Sequence, residues 1–244
     1  MLVFAHRGAS GYAPENTLAA MDKALELGAK AIEIDVHCVE GELVVFHDRR
    51  LEGKSNGYGL IHLSTKADLC KVTVGGEPIP SLWEVLTRID SLSNGDCIVN
   101  IELKGVGCVE PFIDMYPQIL ASLNFTAQQL LISSFNHLYL AQIKQQLSQV
   151  VIAPLLGGIP TDLAKVVSDL HAYSLHLDAA FISQAIVDDA HQRGAKVYVY
   201  TVDNVDDINT LKAIGVDGIF SNYPDKAIAA AALPVSVPLL TWFD

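Results

Sequence analysis

Short apolar runs alternate with amphipathic segments along most of the chain. This alternation predicts βα units and a parallel sheet that is buried on both faces. Gly28, Gly194 and Gly215 each lie between an amphipathic segment and the next apolar run, where a left-handed residue commonly ends a helix. Strands are predicted at residues 2–5, 31–36, 97–103, 130–133, 150–153, 174–177, 197–201 and 218–221.

Helical segments follow most of these strands. Residues 17–27 place Leu18, Met21 and Leu25 on one face, and residues 183–193 begin at Ser183, a suitable N-cap. Eight alternating βα units in a chain of 244 residues predict an α/β fold, a TIM (β/α)8 barrel.

The pattern breaks at residues 48–80, a glycine-rich stretch without helical periodicity. Stretches of this length inside a compact domain are usually functional lids or insertions. We therefore predict a single domain over residues 1–244, with a small insertion over the barrel mouth between the second strand region and its following helix. The apolar, proline-broken tail from Leu233 onward is expected to pack on the barrel or on a partner subunit, which leaves a homo-oligomer open.

Composition and charge narrow the class of protein. Half of the residues are hydrophobic and 18% are charged, which excludes disordered and fibrous chains. The formal net charge of −12 repels phosphates and anionic membranes, so we expect no nucleic acid partner and no stable membrane association. An anionic substrate must therefore meet positive charge locally.

Location is predicted to be cytoplasmic. The chain opens on an apolar strand without the pattern of a secretory signal. Its four cysteines form no CxxC pair and no dense disulfide framework, which argues against structural zinc. Two uncharged stretches, 145–161 and 227–243, are interrupted by prolines, so neither is expected to span a membrane.

Acidic side chains stand at the ends of two predicted strands, where a barrel carries its reactive groups. Glu33 and Asp35 share one face of their strand at a spacing of roughly 7 Å, and Glu102 has the inward parity of the next strand. Like charges buried together are unfavourable unless a cation or strong hydrogen-bond donors compensate them, and a divalent metal is the simplest compensation. Carboxylate ligands favour Mg²⁺ or Ca²⁺, so one divalent cation is predicted, although an ion pair between Glu102 and Lys104 would also explain Glu102.

Two histidines and two basic residues also stand at or just after the ends of predicted strands and apolar runs. His6 and Arg7 follow the first strand, Lys104 follows Glu102, and His47 follows an apolar run just before the insertion. The histidines can divide general acid and general base roles, and the cations can stabilise an oxygen-rich anion. Together with the acidic residues, these groups favour phosphoryl chemistry.

The motifs resemble those of the glycerophosphodiester phosphodiesterase family, in its bacterial cytosolic form. The matching segments are HRGASGYAPENTLAAM at 6–21, EIDVHCVEGELVVFHD at 33–48, IPSLWEVL at 79–86, VNIELK at 99–104, SSF at 133–135, YTVDN at 200–204 and GVDGIFSNYPD at 215–225. They follow the order of the family and cover nearly the whole chain.

The resemblance implies hydrolysis of a small glycerophosphodiester, such as glycerophosphocholine or glycerophosphoethanolamine, to glycerol 3-phosphate and an alcohol. It implies a TIM barrel, His6 and His47 as general acid and base, and Arg7 and Lys104 on the phosphate. The implied metal ligands are Glu33, Asp35 and Glu102. The attacking group is either water or the neighbouring glycerol hydroxyl, the order of the histidines is undecided, and His47 could instead approach the metal.

Some positions depart from the family pattern or carry a weaker signal. Gly53 and Lys54 stand where an arginine and a threonine are more usual, and Asn222 replaces a frequent aspartate, which bears on the head group. Glu15 and Asn16 could orient the metal or phosphate site, with capping of the following helix as the alternative reading.

Two other functions fit the same residues. One is a phospholipase C-like or lysophospholipase D-like barrel that acts on membrane lipid, which would need an apolar or basic rim. The other is a barrel that binds phosphodiesters without cleaving them. Two proton-transfer groups would have little use in such a binding protein, so hydrolysis is the favoured function.

Overall fold

The computed structural model describes residues 1–235, and the expectation for the tail falls mainly on residues 236–244, outside the described part of the chain. The strands are β1 (Leu2–Ala5), β2 (Ala31–Val39), β3 (Glu42–Val45), β4 (Thr73–Val74), β5 (Glu77–Pro78), β6 (Ile98–Leu103), β7 (Leu130–Ser134), β8 (Val151–Leu156), β9 (Ser174–Asp178), β10 (Lys196–Tyr200) and β11 (Gly218–Ser221).

Eight parallel strands form a closed barrel, which confirms the predicted fold. Their order is β1, β2, β6, β7, β8, β9, β10 and β11, and pairing of β11 with β1 closes the ring. The first and last strands pair along their whole length, from Leu2 opposite Gly218 to Ala5 opposite Ser221. Residues that directly follow these two strands are therefore neighbours at the same end of the barrel.

Helices lie between the strands and cover the barrel. They are α1 (Leu18–Glu26), α2 (Lys66–Leu69), α3 (Leu82–Ser93), α4 (Val109–Ser122), α5 (His137–Gln146), α6 (Lys165–Leu170), α7 (Gln184–Gln192), α8 (Val205–Ala213) and α9 (Pro224–Ala232). Within residues 1–235, no helix has both the length and the apolar character needed to cross a membrane.

The predicted helix ends are confirmed at most positions. Gly28, Gly194 and Gly215 have φ values of +86°, +79° and +91°, as the left-handed position requires. The Thr17 side chain accepts a hydrogen bond from the backbone N–H of Ala20 and caps α1. Ser183 occupies the N-cap position of α7, but its side chain makes no capping hydrogen bond, so the expected cap is wrong in that respect.

Strand β3 is an addition to the predicted pattern. It runs antiparallel to β2, with Val39 opposite Glu42, and the two-residue turn between them has positive φ at both Glu40 and Gly41. Positive φ at both central residues is the geometry of a tight hairpin. The Glu-Gly pair carries a weaker turn signal than Asn-Gly or Asp-Gly, which explains why the hairpin was missed.

Residues 46–81 connect β3 to α3 and contain short elements that the sequence pattern did not predict. These are a 3-10 helix at Ile61–Leu63, helix α2, and the antiparallel pair of β4 and β5. The segment packs into a small apolar cluster of its own with the end of the hairpin, built from Val39, Val44, Phe46, Leu51, Ile61, Leu69, Val72 and Val74.

Successive side chains along β2 point alternately toward the surrounding helices and into the barrel interior. Ile32, Ile34 and Val36 face the helices and are fully buried in the larger core cluster. Glu33 and Asp35 have the opposite parity and are buried inside the barrel. The pattern that buries the sheet against its helices thus also places two acids in the interior.

Tyr116 on α4 generates a stability prediction. Its side chain is fully buried, and its hydroxyl has no hydrogen-bond partner among the described residues. An unpaired buried hydroxyl is destabilising, so Tyr116→Phe is expected to raise the free energy of unfolding by about 1 kcal/mol in urea titrations. Tyr58, which is 84% exposed, provides the control. Tyr58→Phe should change the free energy of unfolding by less than about 0.5 kcal/mol. A less stable Tyr116→Phe protein would contradict the assignment.

Candidate active site

Three carboxylates converge where β2 and β6 run side by side. Asp35 lies opposite Glu102 in the register of the two strands, and Glu33 lies opposite Asn100. One oxygen from each of Glu33, Asp35 and Glu102 lies within 4.8 Å of the others, and all three side chains are buried. The predicted convergence of these acids is therefore present in the fold.

Two cations approach this carboxylate cluster. Arg7 Nε lies 3.3 Å from Asp35 Oδ2, and the Arg7 backbone N–H donates to Glu33 Oε2 at 2.8 Å. Lys104 Nζ lies 2.9 Å from Glu102 Oε1 and 3.4 Å from Asp35 Oδ1. The ion pair between Glu102 and Lys104 is thus real, but it is part of a larger cluster and does not account for Glu33.

The pKa values of the three acids diverge. Burial, together with repulsion from Asp35 and Glu102, raises the pKa of Glu33 well above its ordinary value. Burial and repulsion from Asp35 raise the pKa of Glu102 to about 7, against the opposing effect of Lys104. Burial acts in the same sense on Asp35, but Lys104, His47 and Arg7 outweigh it and lower the pKa of Asp35. Arg7 and Lys104 therefore compensate the negative charge of Asp35, but they do not fully compensate that of the other two carboxylates.

The donor set fits a divalent cation. Its members are carboxylate oxygens, the ligands that Mg²⁺ and Ca²⁺ prefer. The raised pKa values of Glu33 and Glu102 show that negative charge at this position is undercompensated by Arg7 and Lys104. A dication between these oxygens would supply the missing charge.

His6 follows β1, and its ring is held in one orientation by residues from the other end of the chain. Its Nδ1 lies 2.8 Å from Asn222 Oδ1, and its Nε2 lies 4.0 Å from Glu33 Oε2. Asn222 Nδ2 donates to Asp203 Oδ2 at 2.7 Å, which directs the amide oxygen toward His6. His6 Nδ1 must then carry the proton, and Nε2 is free to accept one. Burial and the neighbouring Arg7 lower the pKa of His6 to about 4.

His47 has a different partner. Its Nδ1 lies 2.5 Å from Asp48 Oδ1, and its backbone carbonyl lies 3.1 Å from His37 Nε2. His37 therefore contacts the backbone of His47.

Residues of the PENT segment reach the same cluster. Asn16 Nδ2 donates to Asp35 Oδ2 at 2.9 Å, and Asn16 Oδ1 accepts from the Asp35 backbone N–H at 3.2 Å. Glu15 Oε1 accepts from Arg7 at 2.9 Å, and Glu15 Oε2 accepts from Lys54 at 2.8 Å. Thr17 thus caps α1, while Asn16 contacts Asp35 and Glu15 contacts Arg7.

The contact between Asn222 and His6 was missed in the sequence analysis, where Asn222 was linked only to the head group. The residues are 216 positions apart. Closure of the barrel is the signal that could have found the contact, because the first and last strands of a barrel are neighbours and both residues directly follow those strands.

The candidate site surrounds one cavity of about 170 Å³ in the barrel mouth. Asp35 is buried behind the wall, and the other predicted site residues line the cavity. Its lining residues are His6, Arg7, Glu33, His47, Asn100, Glu102, Lys104, Phe135, Leu155, His176, Tyr200, Thr201 and Phe220.

Comparison with known proteins gives a consistent match. Residues 6–226 match the Glycerophosphoryl diester phosphodiesterase family. The chain is 35% identical over 237 residues to a glycerophosphodiester phosphodiesterase of Caldanaerobacter subterraneus, across 93% of this chain and 96% of that protein. It is 30% identical over 237 residues to the glycerophosphodiester phosphodiesterase of Bacillus altitudinis, with 93% and 96% covered.

A solved structure shows the same architecture. It is an Oleispira antarctica phosphodiesterase in complex with the product sn-glycerol-3-phosphate, and it matches with a TM-score of 0.85 and 32% identity. The match covers 94% of this chain and 96% of that one. The similarity therefore extends over the barrel and the segments that carry the candidate site.

The carboxylate cluster generates a prediction about cation binding. In EDTA, Glu33→Gln should raise the free energy of unfolding at neutral pH, because an isosteric amide removes a buried carboxylate that lacks sufficient positive charge. With Mg²⁺ or Ca²⁺ at about 100 times its Kd, the unsubstituted protein should gain about 2.7 kcal/mol, and the variant should gain much less.

Urea unfolding with and without each cation measures both effects. Glu26→Gln is the control, because Glu26 lies at the end of α1 in an exposed pair with Lys23 and should leave the cation effect unchanged. Equal stabilisation of the protein and of Glu33→Gln by the cation would contradict a site at Glu33.

Proposed function

The chain belongs to the glycerophosphoryl diester phosphodiesterase family and is an enzyme of that class, and we propose that it hydrolyses small glycerophosphodiesters to glycerol 3-phosphate and an alcohol. Glycerophosphocholine and glycerophosphoethanolamine are the proposed substrates. The observation that carries this proposal is the convergence of three carboxylates, two cations and two histidines around one cavity of about 170 Å³.

Arg7 and Lys104 are proposed to hold the phosphodiester. Both side chains line the cavity beside the carboxylates, and each lies within 3.4 Å of an Asp35 oxygen. These ion pairs fix the cations in place before the substrate arrives. Preorganised cations stabilise the charge that develops on phosphoryl oxygens during displacement at phosphorus.

Glu33, Asp35 and Glu102 are proposed to hold one divalent cation, Mg²⁺ or Ca²⁺. When bound, such a cation polarises the phosphoryl group as a Lewis acid. Asn16 keeps the Asp35 carboxylate in place through its two hydrogen bonds, and the Arg7 backbone N–H fixes Glu33. The ligand set would thus be held in a defined geometry by neighbouring residues.

His6 is proposed as the general base. Asn222 holds the protonated Nδ1 of His6, which leaves Nε2 as an acceptor on the side of Glu33. A nitrogen in this state can take the proton of the attacking hydroxyl, from water or from the neighbouring glycerol hydroxyl. Direct attack by water yields glycerol 3-phosphate in one step. Attack by the glycerol hydroxyl forms a cyclic phosphodiester that water then opens.

His47 is proposed as the general acid. Its Nδ1 lies 2.5 Å from Asp48 Oδ1, which engages that nitrogen and leaves Nε2 for the substrate in the cavity that His47 lines. As the bond between phosphorus and the alcohol oxygen breaks, His47 donates a proton to that oxygen. The different hydrogen-bond partners of the two histidines support this division of roles, which the sequence left open.

The remaining expectations of the sequence analysis stay predictions. These predictions are a cytoplasmic location, assembly into a homo-oligomer, and the placement of residues 48–80 at the rim of the barrel mouth. The pair between Lys54 Nζ and Glu15 Oε2, at 2.8 Å, supports the last of these, since Glu15 also contacts Arg7. Hydrolysis of intact lysophospholipid in vesicles would instead favour the alternative function on membrane lipid.

The proposed roles predict the effects of substitution. His6→Ala and His47→Ala should each lower kcat for glycerophosphoethanolamine by about 10²- to 10⁴-fold, because each removes a proton-transfer group. EDTA should abolish turnover, and added Mg²⁺ or Ca²⁺ should restore it. Release of glycerol 3-phosphate and ethanolamine, measured separately, identifies the bond that is cleaved.

An exposed histidine far from the mouth provides the control. His171 follows α6 with a φ of +50°, so asparagine is the conservative replacement there, and His171→Asn should turn over at the unsubstituted rate. Unchanged turnover in both His6→Ala and His47→Ala would rule out the two-histidine mechanism. Tight substrate binding without any product would instead favour the non-cleaving barrel.

A further inference from the structure

Two polar residues without a role in the proposed chemistry line the cavity beside the carboxylate cluster. Asn100 lies on β6 two residues before Glu102 and shares its parity, so it is roughly 7 Å deeper along the strand. His176 lies on β9, opposite Leu155 of β8 and Tyr198 of β10. Both line the cavity, and their exposed fractions are 1% and 0%.

Each of these residues has one polar atom engaged and one unpaired. Asn100 Nδ2 donates to Ser133 Oγ at 3.0 Å, and Asn100 Oδ1 has no partner among the described residues. His176 Nε2 lies 3.1 Å from Ser174 Oγ, and His176 Nδ1 is likewise unpaired in residues 1–235. The serines anchor both side chains and leave the unpaired atoms for another partner.

Aromatic packing holds the His176 ring in place. Its centroid lies 5.4 Å from that of Tyr198 and 5.1 Å from that of Phe220. Rotation of the ring would have to displace these aromatic rings and break the contact with Ser174. The unpaired nitrogen therefore belongs to a fixed side chain.

A purely structural role accounts poorly for two unpaired atoms. Each buried polar atom without a partner costs about 1–3 kcal/mol. Apolar residues occupy equivalent places in the same wall, as Leu155 and Phe220 do, without that cost. A ligand that pairs with Asn100 Oδ1 and His176 Nδ1 would remove the cost at both atoms.

The chemistry of the two atoms suits an uncharged group. Burial lowers the pKa of His176 to about 3, so the ring is neutral at physiological pH. The cations Arg7 and Lys104 lie beside the carboxylates, where the anionic part of the substrate is proposed to bind. The neutral His176 ring presents Nδ1 as a donor or an acceptor according to its tautomer, and Asn100 Oδ1 is an acceptor. A hydroxyl group both donates and accepts hydrogen bonds, so it can pair with either atom.

We propose that Asn100 and His176 form a hydroxyl-binding subsite in the wall of the cavity, which receives the terminal hydroxyl of the glycerol moiety. This inference rests on the proposed function and specifies how the substrate is oriented in the cavity. The diester lies at the carboxylates and cations, the glycerol end points into the barrel, and the alcohol to be released faces the mouth. His176 is then a substrate-binding residue that selects a polyol.

Two phosphate monoesters test this subsite by binding alone. Glycerol 3-phosphate carries the terminal hydroxyl, and 2-hydroxypropyl phosphate lacks it but is otherwise the same. Calorimetry in excess Mg²⁺ should show that the protein binds glycerol 3-phosphate about tenfold more tightly, since a lost hydrogen bond of about 1.4 kcal/mol corresponds to tenfold in Kd.

Substitutions assign the difference to the subsite. The His176→Phe protein should bind glycerol 3-phosphate about tenfold more weakly than the unsubstituted protein does. Its affinity for 2-hydroxypropyl phosphate should be unchanged, so the preference for glycerol 3-phosphate should disappear. Asn100→Ala should reduce the preference in the same direction and serves as the second variant if His176→Phe does not fold. Tyr198→Phe is the matched control, because Tyr198 contacts the His176 ring but does not line the cavity, and it should keep the full preference.

The outcomes separate the subsite from the proposed function. Equal binding of the two monoesters by a protein that hydrolyses glycerophosphoethanolamine overturns the subsite alone. If His176→Phe or Asn100→Ala weakens the binding of both monoesters equally, the residue has a structural role only, and the proposed subsite is also overturned. A protein that hydrolyses no glycerophosphodiester overturns the proposed function, and with it the subsite that rests on it.

Discussion

The close approach of Glu33, Asp35 and Glu102 is the constraint around which the rest of the site is arranged. Three buried carboxylates with oxygens within 4.8 Å repel one another, and the barrel interior offers little water to screen them. Arg7 and Lys104 approach different oxygens of Asp35 and lower its pKa, while the pKa values of Glu33 and Glu102 are raised. Such an arrangement is costly for folding alone, and it is explained if the cluster holds a dication.

Closure of the barrel gives this cluster its proton-transfer groups. Pairing of β1 with β11 brings Asn222 and, through it, Asp203 to His6, so that a chain of hydrogen bonds fixes which nitrogen of His6 is protonated. The hairpin of β2 and β3 carries His47 to the same mouth by a local route. One histidine thus depends on contacts across the whole chain, and the other depends on a turn of two residues.

Much of the site could be predicted from the sequence, because it follows from alternation within single strands. The parity of Glu33, Asp35 and Glu102, and the glycines that end helices, are local properties, and the structure confirms them. The bonds from Asn222 to His6 and from Asn16 to Asp35 depend on register between distant segments, which one sequence does not specify. The β3 strand was missed for a different reason, since its turn carries a weak signal.

Diffraction from crystals grown with excess Mn²⁺, a stand-in for Mg²⁺ that also prefers oxygen ligands, tests the central claim most directly. We expect one anomalous peak within about 2.0–2.6 Å of oxygens from each of Glu33, Asp35 and Glu102, the range of divalent cations with oxygen ligands. A map with no peak there, in which Arg7 and Lys104 alone neutralise the three carboxylates, would contradict the account.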